Sequence, residues 1–226
     1  MTVKKTVSVI IKIFLITTSL GGVFLSLLTA QKDGFSHWAR RLLYFTAQSN
    51  LWIGFSALFA LFLGFAPYCK SNAKLLFVTR YVCVVSITMT GVVFCGLLAP
   101  FAKDYGFQTW TVSSLLTHVV SPTLAIVDFF LDRQTFIIKK SHALLCVIPS
   151  LIYFSLSFVL EYFRVDFGRG VPYPYFFMNF RSPIGFFGFS ATPPFVLGTF
   201  YWFLLFPSLL YAIAFLYRYA YNRRKR

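Results

Sequence analysis

Residues 110–131 read WTVSSLLTHVVSPTLAIVDFFL, an apolar run interrupted by one histidine, His118, and one carboxylate, Asp128. A run of roughly 20 such residues is long enough to cross the hydrocarbon core of a bilayer as a helix. An ionisable group inside that helix is costly unless it faces protein or a wet cavity. The stretch therefore marks both a membrane span and a candidate site.

Five further apolar stretches flank it, at 7–30, 43–66, 75–100, 143–163 and 195–221. The chain has 226 residues, 58% of them hydrophobic and 12% charged; its mean hydropathy is +0.73. Soluble domains carry about twice that charged fraction. Six spans use most of the chain, so residues 1–226 are expected to form one membrane domain. No strand-like alternation suggests a barrel, and backbone amides facing lipid must be paired within helices. The expected fold class is all-α: a polytopic bundle of six transmembrane helices. Lys4 and Lys5 before an apolar run resemble a signal peptide, but the run is too long and Leu28-Thr29-Ala30 is a poor cleavage site. It reads as the first span. Pro67, Pro100 and the Gly/Pro-rich 182–194 stretch mark loops.

The formal charge is +15, yet the basic residues are scattered between apolar runs rather than gathered into a groove. They read as orienting the protein in the membrane, and nucleic acid is not an expected partner. Fourteen of the 21 Lys and Arg fall at the N-terminal end, in the second and fourth loop regions and at the C-terminus. The other side has Lys32, Arg40, Arg41, Lys103, Arg164, Arg169 and Arg181. That bias predicts both termini in the cytoplasm. The tail Arg223-Arg224-Lys225-Arg226 reads as a stop-transfer anchor attracting anionic headgroups. Lys12 and Arg80, near span ends, are expected to snorkel to the headgroups. Cys69, Cys83, Cys95 and Cys146 show no C-x-x-C spacing, so neither a metal site nor a disulfide framework is expected. No cofactor is called for. Membrane lipids are the expected partners, and the oligomeric state stays open.

On a wheel of 100° per residue, Thr111, Ser114, His118, Ser121 and Asp132 project within about 60° of one another, with Asp128 at the edge. Pro122 frees a backbone carbonyl near Ser121 or His118. Thr46, Ser49 and Asn50 share one face of the second span at helical spacing, with Gln48 beside them. Such groups serve as packing glue between membrane helices, and that reading competes with a chemical one. In the chemical reading Thr46 is a nucleophile activated by His118. Ser49, Asn50, Ser121 and Tyr173 are the substrate-binding or oxyanion candidates. Asp128 is the candidate supporting acid, but it lies almost three turns from His118, so a partner on another helix or an interfacial Arg suits it better. His37 and His142 read as interfacial, and Glu161 and Asp166 as an ion-pair cluster with Arg164 and Arg169. The long aromatic connection 164–194 is expected to be a lid or a partly re-entrant segment.

Tyr44-Phe45-Thr46, the span bearing His118, Pro122 and Asp128, and Pro172-Tyr173-Pro174-Tyr175 together resemble the androgen-induced-gene family of six-span membrane proteins. The resemblance covers roughly residues 40 to 180. Some animal members are threonine-dependent hydrolases of fatty-acid esters of hydroxy fatty acids. The resemblance implies that Thr46 is the nucleophile and His118 the base. It matches Asp128 to the acidic position ten residues after that histidine, and Tyr173-Pro174 to the Tyr-Pro element. Gln48-Ser49-Asn50 replaces more apolar residues of the animal hydrolases and looks more like a bacterial branch, which implies the plasma membrane of a bacterium. The expected function is intramembrane hydrolysis of a lipid ester. A transporter or permease using His118, Asp128 and Glu161 as a proton path is the alternative, with a non-catalytic lipid-binding protein as the third reading. No inverted symmetry between halves supports the transporter.

Overall fold

Six helices, each long and apolar enough to cross a membrane, carry the chain back and forth. The computed structural model describes residues 3–65, 73–101, 109–132, 136–168, 170–190 and 197–224. The helices are α1 (Val3–Thr29), α2 (Phe45–Phe65), α3 (Ala73–Leu98), α4 (Val112–Leu131), α5 (Lys140–Tyr162) and α6 (Thr199–Arg223). Among the described residues no strand forms; a single isolated bridge joins Phe189 to Leu197. The expected all-α bundle is therefore what the chain builds, and six crossings return its two ends to one face. Pro67, Lys70, Cys69, Lys103, Arg133, Arg169, Pro193, Pro194, Lys225 and Arg226 lie outside the described residues.

Local chemistry sets the helix limits. Thr111 caps α4 by accepting the Ser114 N–H at 3.1 Å. His142 accepts the Lys139 N–H through Nδ1 at the start of α5. That helix breaks between Leu145 and Ile148 and resumes with Pro149 in its first turn, where the missing N–H leaves nothing unpaired. His37 accepts the Ala39 N–H and caps the short 3-10 turn Trp38–Leu43 that leads into α2.

Helices α1 to α4 pack antiparallel around Leu15, Ile53, Tyr81, Ile87 and Phe129, all buried. Helix α6 lies across α3 and α5. Large apolar side chains such as Phe14, Phe24, Phe59 and Leu204 stay exposed on the outer faces, as lipid-facing surface should. Two glycines permit the tightest approach. A Cβ on Gly22 would come within 2.8 Å of the Thr117 side chain, and one on Gly91 within 2.9 Å of the His118 carbonyl oxygen. Both pull α1 and α3 onto the middle of α4.

At one end of the bundle sits a charge quartet. Lys12 Nζ lies 2.8 Å from Asp128 Oδ1 and 3.4 Å from Asp132 Oδ2, and Arg80 pairs with both carboxylates. Lys12, Arg80 and Asp128 are 5%, 6% and 1% exposed. The expected snorkelling of Lys12 and Arg80 is corrected here: with two carboxylates within reach, both cations turn inward and the four charges cancel. Lys12 also donates to Ser8 Oγ at 2.7 Å. Removing one partner from such a group strands a buried charge, whereas removing a cation and an anion together does not.

Of the expected cluster of Glu161 and Asp166 with Arg164 and Arg169, Arg169 lies outside the described residues, and the described contacts of the two carboxylates are hydrogen bonds. Asp166 accepts the N–H groups of Gly168 and Gly170 and the Ser36 hydroxyl. Burial pushes its carboxyl up, but these donors, with Arg40 nearby, hold it below its ordinary value. Glu161 is buried and accepts the Phe180 N–H. Among the described residues neither carboxylate forms an ion pair.

Asp128→Asn is expected to destabilise the bundle by about 3–5 kcal/mol in denaturant unfolding in detergent micelles. The balanced double change Lys12→Met with Asp132→Asn is expected to cost clearly less. Equal losses would show that charge balance is not what the quartet supplies.

Candidate functional site

Pro122 is the origin of the site. It has no N–H, so the carbonyls one turn and more before it in α4 lose a donor. The helix responds with a π turn at Leu116–Val120, in which the Ser121 N–H bonds the Leu116 carbonyl. That turn leaves the Thr117 carbonyl without a backbone donor. Asn50 of α2 supplies one: its Nδ2 donates to the Thr117 carbonyl at 3.0 Å and to the Thr46 carbonyl at 2.8 Å. Asn50 is fully buried. Two carbonyl acceptors fix which end of the amide is nitrogen, and the oxygen has no partner among the described residues. One side chain thus ties the start of α2 to the π turn of α4.

The consequence is a close pair. Thr46 Oγ1 lies 3.2 Å from His118 Nε2. On the other side of the ring, Nδ1 is 3.0 Å from the Ser114 carbonyl and 3.1 Å from Thr117 Oγ1. A carbonyl can only accept, so Nδ1 carries the proton and donates to it. In the neutral ring the Nε2 lone pair then faces the Thr46 hydroxyl, which donates. Thr117 passes its own proton to the Ser113 carbonyl at 2.8 Å, leaving its oxygen to share the Nδ1 hydrogen. The Phe94 ring stacks on the imidazole, with centroids 3.9 Å apart. Phe94 opens a second π turn, Phe94–Leu98, in α3. Single π turns of this kind recur at functional sites.

Ser49 and Asn50 sit directly behind Thr46 but do not offer free donors. The Ser49 and Thr90 hydroxyls share a hydrogen bond at 2.8 Å, and each also has a carbonyl of its own helix in reach, Thr46 at 3.2 Å for Ser49 and Ser86 at 3.3 Å for Thr90. Gln48 Nε2 reaches back to the Leu42 carbonyl and steadies the entry of α2. The Tyr175 hydroxyl also faces Thr46, its Oη 3.5 Å from Thr46 Oγ1, the outer limit of a hydrogen bond. Tyr175 is held edge-on to Tyr44 and stacked on Phe177.

Three expected site residues lie elsewhere. Ser121 donates to Thr18 Oγ1 at 3.1 Å and faces α1. Asp128 belongs to the charge quartet at the far end of α4. Tyr173 lies toward Glu161, with burial first and that carboxylate second raising its phenol; Tyr175, two residues on, holds the place beside Thr46. The physical reason for the split is the π turn, which shifts every later residue of α4 by about 100° relative to an unbroken wheel. His118 keeps to Thr46 of α2 and Phe94 of α3, while Ser121 turns to Thr18 of α1 and Asp128 to Lys12 of α1 and Arg80 of α3.

Thr46 opens on a cleft that encloses about 500 Å³ of space when the solvent at its mouth is counted. Its walls are mostly apolar, with Met89 and Val93 of α3, Phe154 of α5 and Phe206 of α6. Thr90, Ser150, Tyr153 and Tyr175 add hydroxyls. Phe177 and Met178, from the long connection, close one side. The cavity reaches Leu210, eleven residues into α6 and so ~16 Å below its start. No protein family, curated protein or solved structure matches the chain.

The imidazole geometry is open to direct measurement. Nitrogen NMR of ring-labelled protein is expected to find His118 protonated on Nδ1 alone. Asn50→Leu, which orphans the Thr117 carbonyl, is expected to cost about 1–3 kcal/mol of stability and to perturb the same resonances. An Nε2-protonated ring would contradict the assigned hydrogen bonds.

Proposed function

We propose that the protein hydrolyses a lipid ester within the membrane, with Thr46 as nucleophile and His118 as general base. The observation that carries this reading is the 3.2 Å approach of Thr46 Oγ1 to His118 Nε2 on the wall of an apolar cavity. A threonine hydroxyl is a weak nucleophile and needs an adjacent base held by a third group. Here the third group is the Ser114 carbonyl at Nδ1 rather than a carboxylate. The androgen-induced-gene resemblance assigns the same two residues and so supports the proposal independently of distance.

The chemistry runs in two halves. Thr46 Oγ adds to the ester carbonyl while His118 Nε2 takes the hydroxyl proton. The tetrahedral oxyanion is met by the Tyr175 hydroxyl. Collapse breaks the ester C–O bond, and His118 returns the proton to the departing alkoxide, which leaves as an alcohol. His118 then takes a proton from a water whose oxygen attacks the acyl-threonine; the acyl C–Oγ bond breaks, His118 returns the proton to Thr46 Oγ, and the carboxylic acid leaves.

Depth favours a lipid substrate. Thr46 is the second residue of α2, so it lies ~3 Å from the end of a span, near the boundary where lipid ester groups meet the hydrocarbon. An acyl chain seated in the cavity would run from Thr46 toward Leu210 in the middle of the bundle. The transporter reading is less well supported. Between the Thr18–Ser121 contact and the Lys12–Asp128 pair, α1 and α4 present Leu15 and Ala125, both buried. A polar path from His118 to Asp128 is interrupted there.

Turnover of a fluorogenic fatty-acyl ester by protein in micelles is expected to vanish in Thr46→Ala and His118→Ala and to survive in Thr46→Ser. Tyr175→Phe is expected to lower kcat by about 10²-fold, the usual loss of one oxyanion donor. Full activity in both alanine variants would end the catalytic assignment. Acyl-lipid binding without turnover in the parent protein would favour the lipid-binding reading.

A further inference from the structure

The long connection does two separate things. Residues 175–178 fold back over the bundle and line the cavity. Residues 182–190, reading SPIGFFGFS, contain no charged side chain and project as a hairpin.

That hairpin is built, not slack. The Gly185 N–H bonds the Ser182 carbonyl at 2.8 Å, with Gly185 at φ +76. The Gly198 N–H bonds the Gly188 carbonyl at 2.8 Å, and the Phe200 N–H bonds the Phe186 carbonyl at 3.2 Å. A Cβ on Gly188 would collide with the Ile184 carbonyl, and one on Gly198 with the Phe186 carbonyl. Phe187 packs on Phe200 at 4.8 Å between centroids, and Phe189 on Tyr201 at 4.4 Å. The Tyr201 hydroxyl donates to the Phe187 carbonyl. Even so, Phe187 and Phe189 remain 62% and 66% exposed.

We infer that this hairpin is an in-plane membrane anchor whose partner is the headgroup–acyl boundary of the bilayer at the end of the bundle bearing the long connection. Its depth is set by what it is bonded to. Phe200 and Tyr201 belong to the first turn of α6, a membrane span, so the rings packed on them lie at the level where that span leaves the hydrocarbon. Tyr201, an apolar ring with a polar hydroxyl, suits that level, and the Phe rings packed beside it belong on its apolar side. An uncharged segment with exposed Phe rings, hydrogen-bonded to the start of α6, is suited to lie in the interface rather than in water. Arg181, exposed at the hairpin base, is placed for lipid phosphate. The anchor also bears on the cavity: the Asn179 carbonyl accepts both the Ser182 N–H of the hairpin and the Thr199 hydroxyl of α6, one residue past the cavity-lining Met178. The contact with lipid does not require Thr46 to react.

The test is Phe187→Trp in the full chain, reconstituted in phosphatidylcholine vesicles and compared with the parent, whose Trp38, Trp52, Trp110 and Trp202 provide the background. Circular dichroism confirms the fold, and Phe189→Trp serves if the first variant does not fold. The added emission is expected to be lost when the acyl chains carry bromine near their carbonyl ends and to be unaffected by aqueous iodide. Loss to iodide with no effect of bromine would place the hairpin in water. Loss to neither would put the ring against protein, a second copy included. Either result overturns the inference.

Discussion

A polar atom inside an apolar slab has to find its partner within the protein, and in this bundle that requirement is concentrated around Pro122. The missing N–H and the π turn before it leave backbone carbonyls on α4 with nothing in their own helix to bond. Asn50 answers one of them from α2, and Gly91 lets α3 close over the next. The Asn50 hydrogen bond and the close Gly91 contact fix where α2 and α3 stand against α4. The Thr46–His118 approach and the stacking of Phe94 on the imidazole follow from that placement.

The two ends of the bundle are different in kind. One holds the quartet of Lys12, Arg80, Asp128 and Asp132, charge-balanced and tied across α1, α3 and α4. Burying three of these four charges gains little net stability, since desolvation offsets most of the attraction. What it does is penalise any helix register that leaves one charge alone. The other end holds neutral hydroxyls, an imidazole, a cavity and the long connection. Leu15 and Ala125 separate the two. Fixing register at one end leaves the other free to carry a groove and a covering segment.

The fold was legible because its cause is additive along the chain: six runs long enough to cross a bilayer, each detectable alone. The pairing of Thr46 with His118 was legible in part, because both are polar groups in spans with few alternatives. The rest depended on features that no wheel contains. Pro122 signalled freed carbonyls, but not that a π turn would follow and turn Ser121 away from His118. Lys12 and Arg80 lie close enough to span ends to reach headgroups, and only the meeting of α1, α3 and α4 makes Asp128 and Asp132 the nearer partners. In Pro172-Tyr173-Pro174-Tyr175 two tyrosines alternate, and which one reaches Thr46 is decided by how the connection folds over Tyr44 and Phe177.

The proposed hydrolysis requires that Thr46 be made reactive by its neighbour on α4. The most direct measurement is covalent labelling of the purified protein with a lipid-like fluorophosphonate, followed by intact mass and peptide mapping. One phosphonate on Thr46, absent in His118→Ala that is still folded, is the result this geometry predicts. A protein left unlabelled, or labelled at a residue other than Thr46, would contradict it.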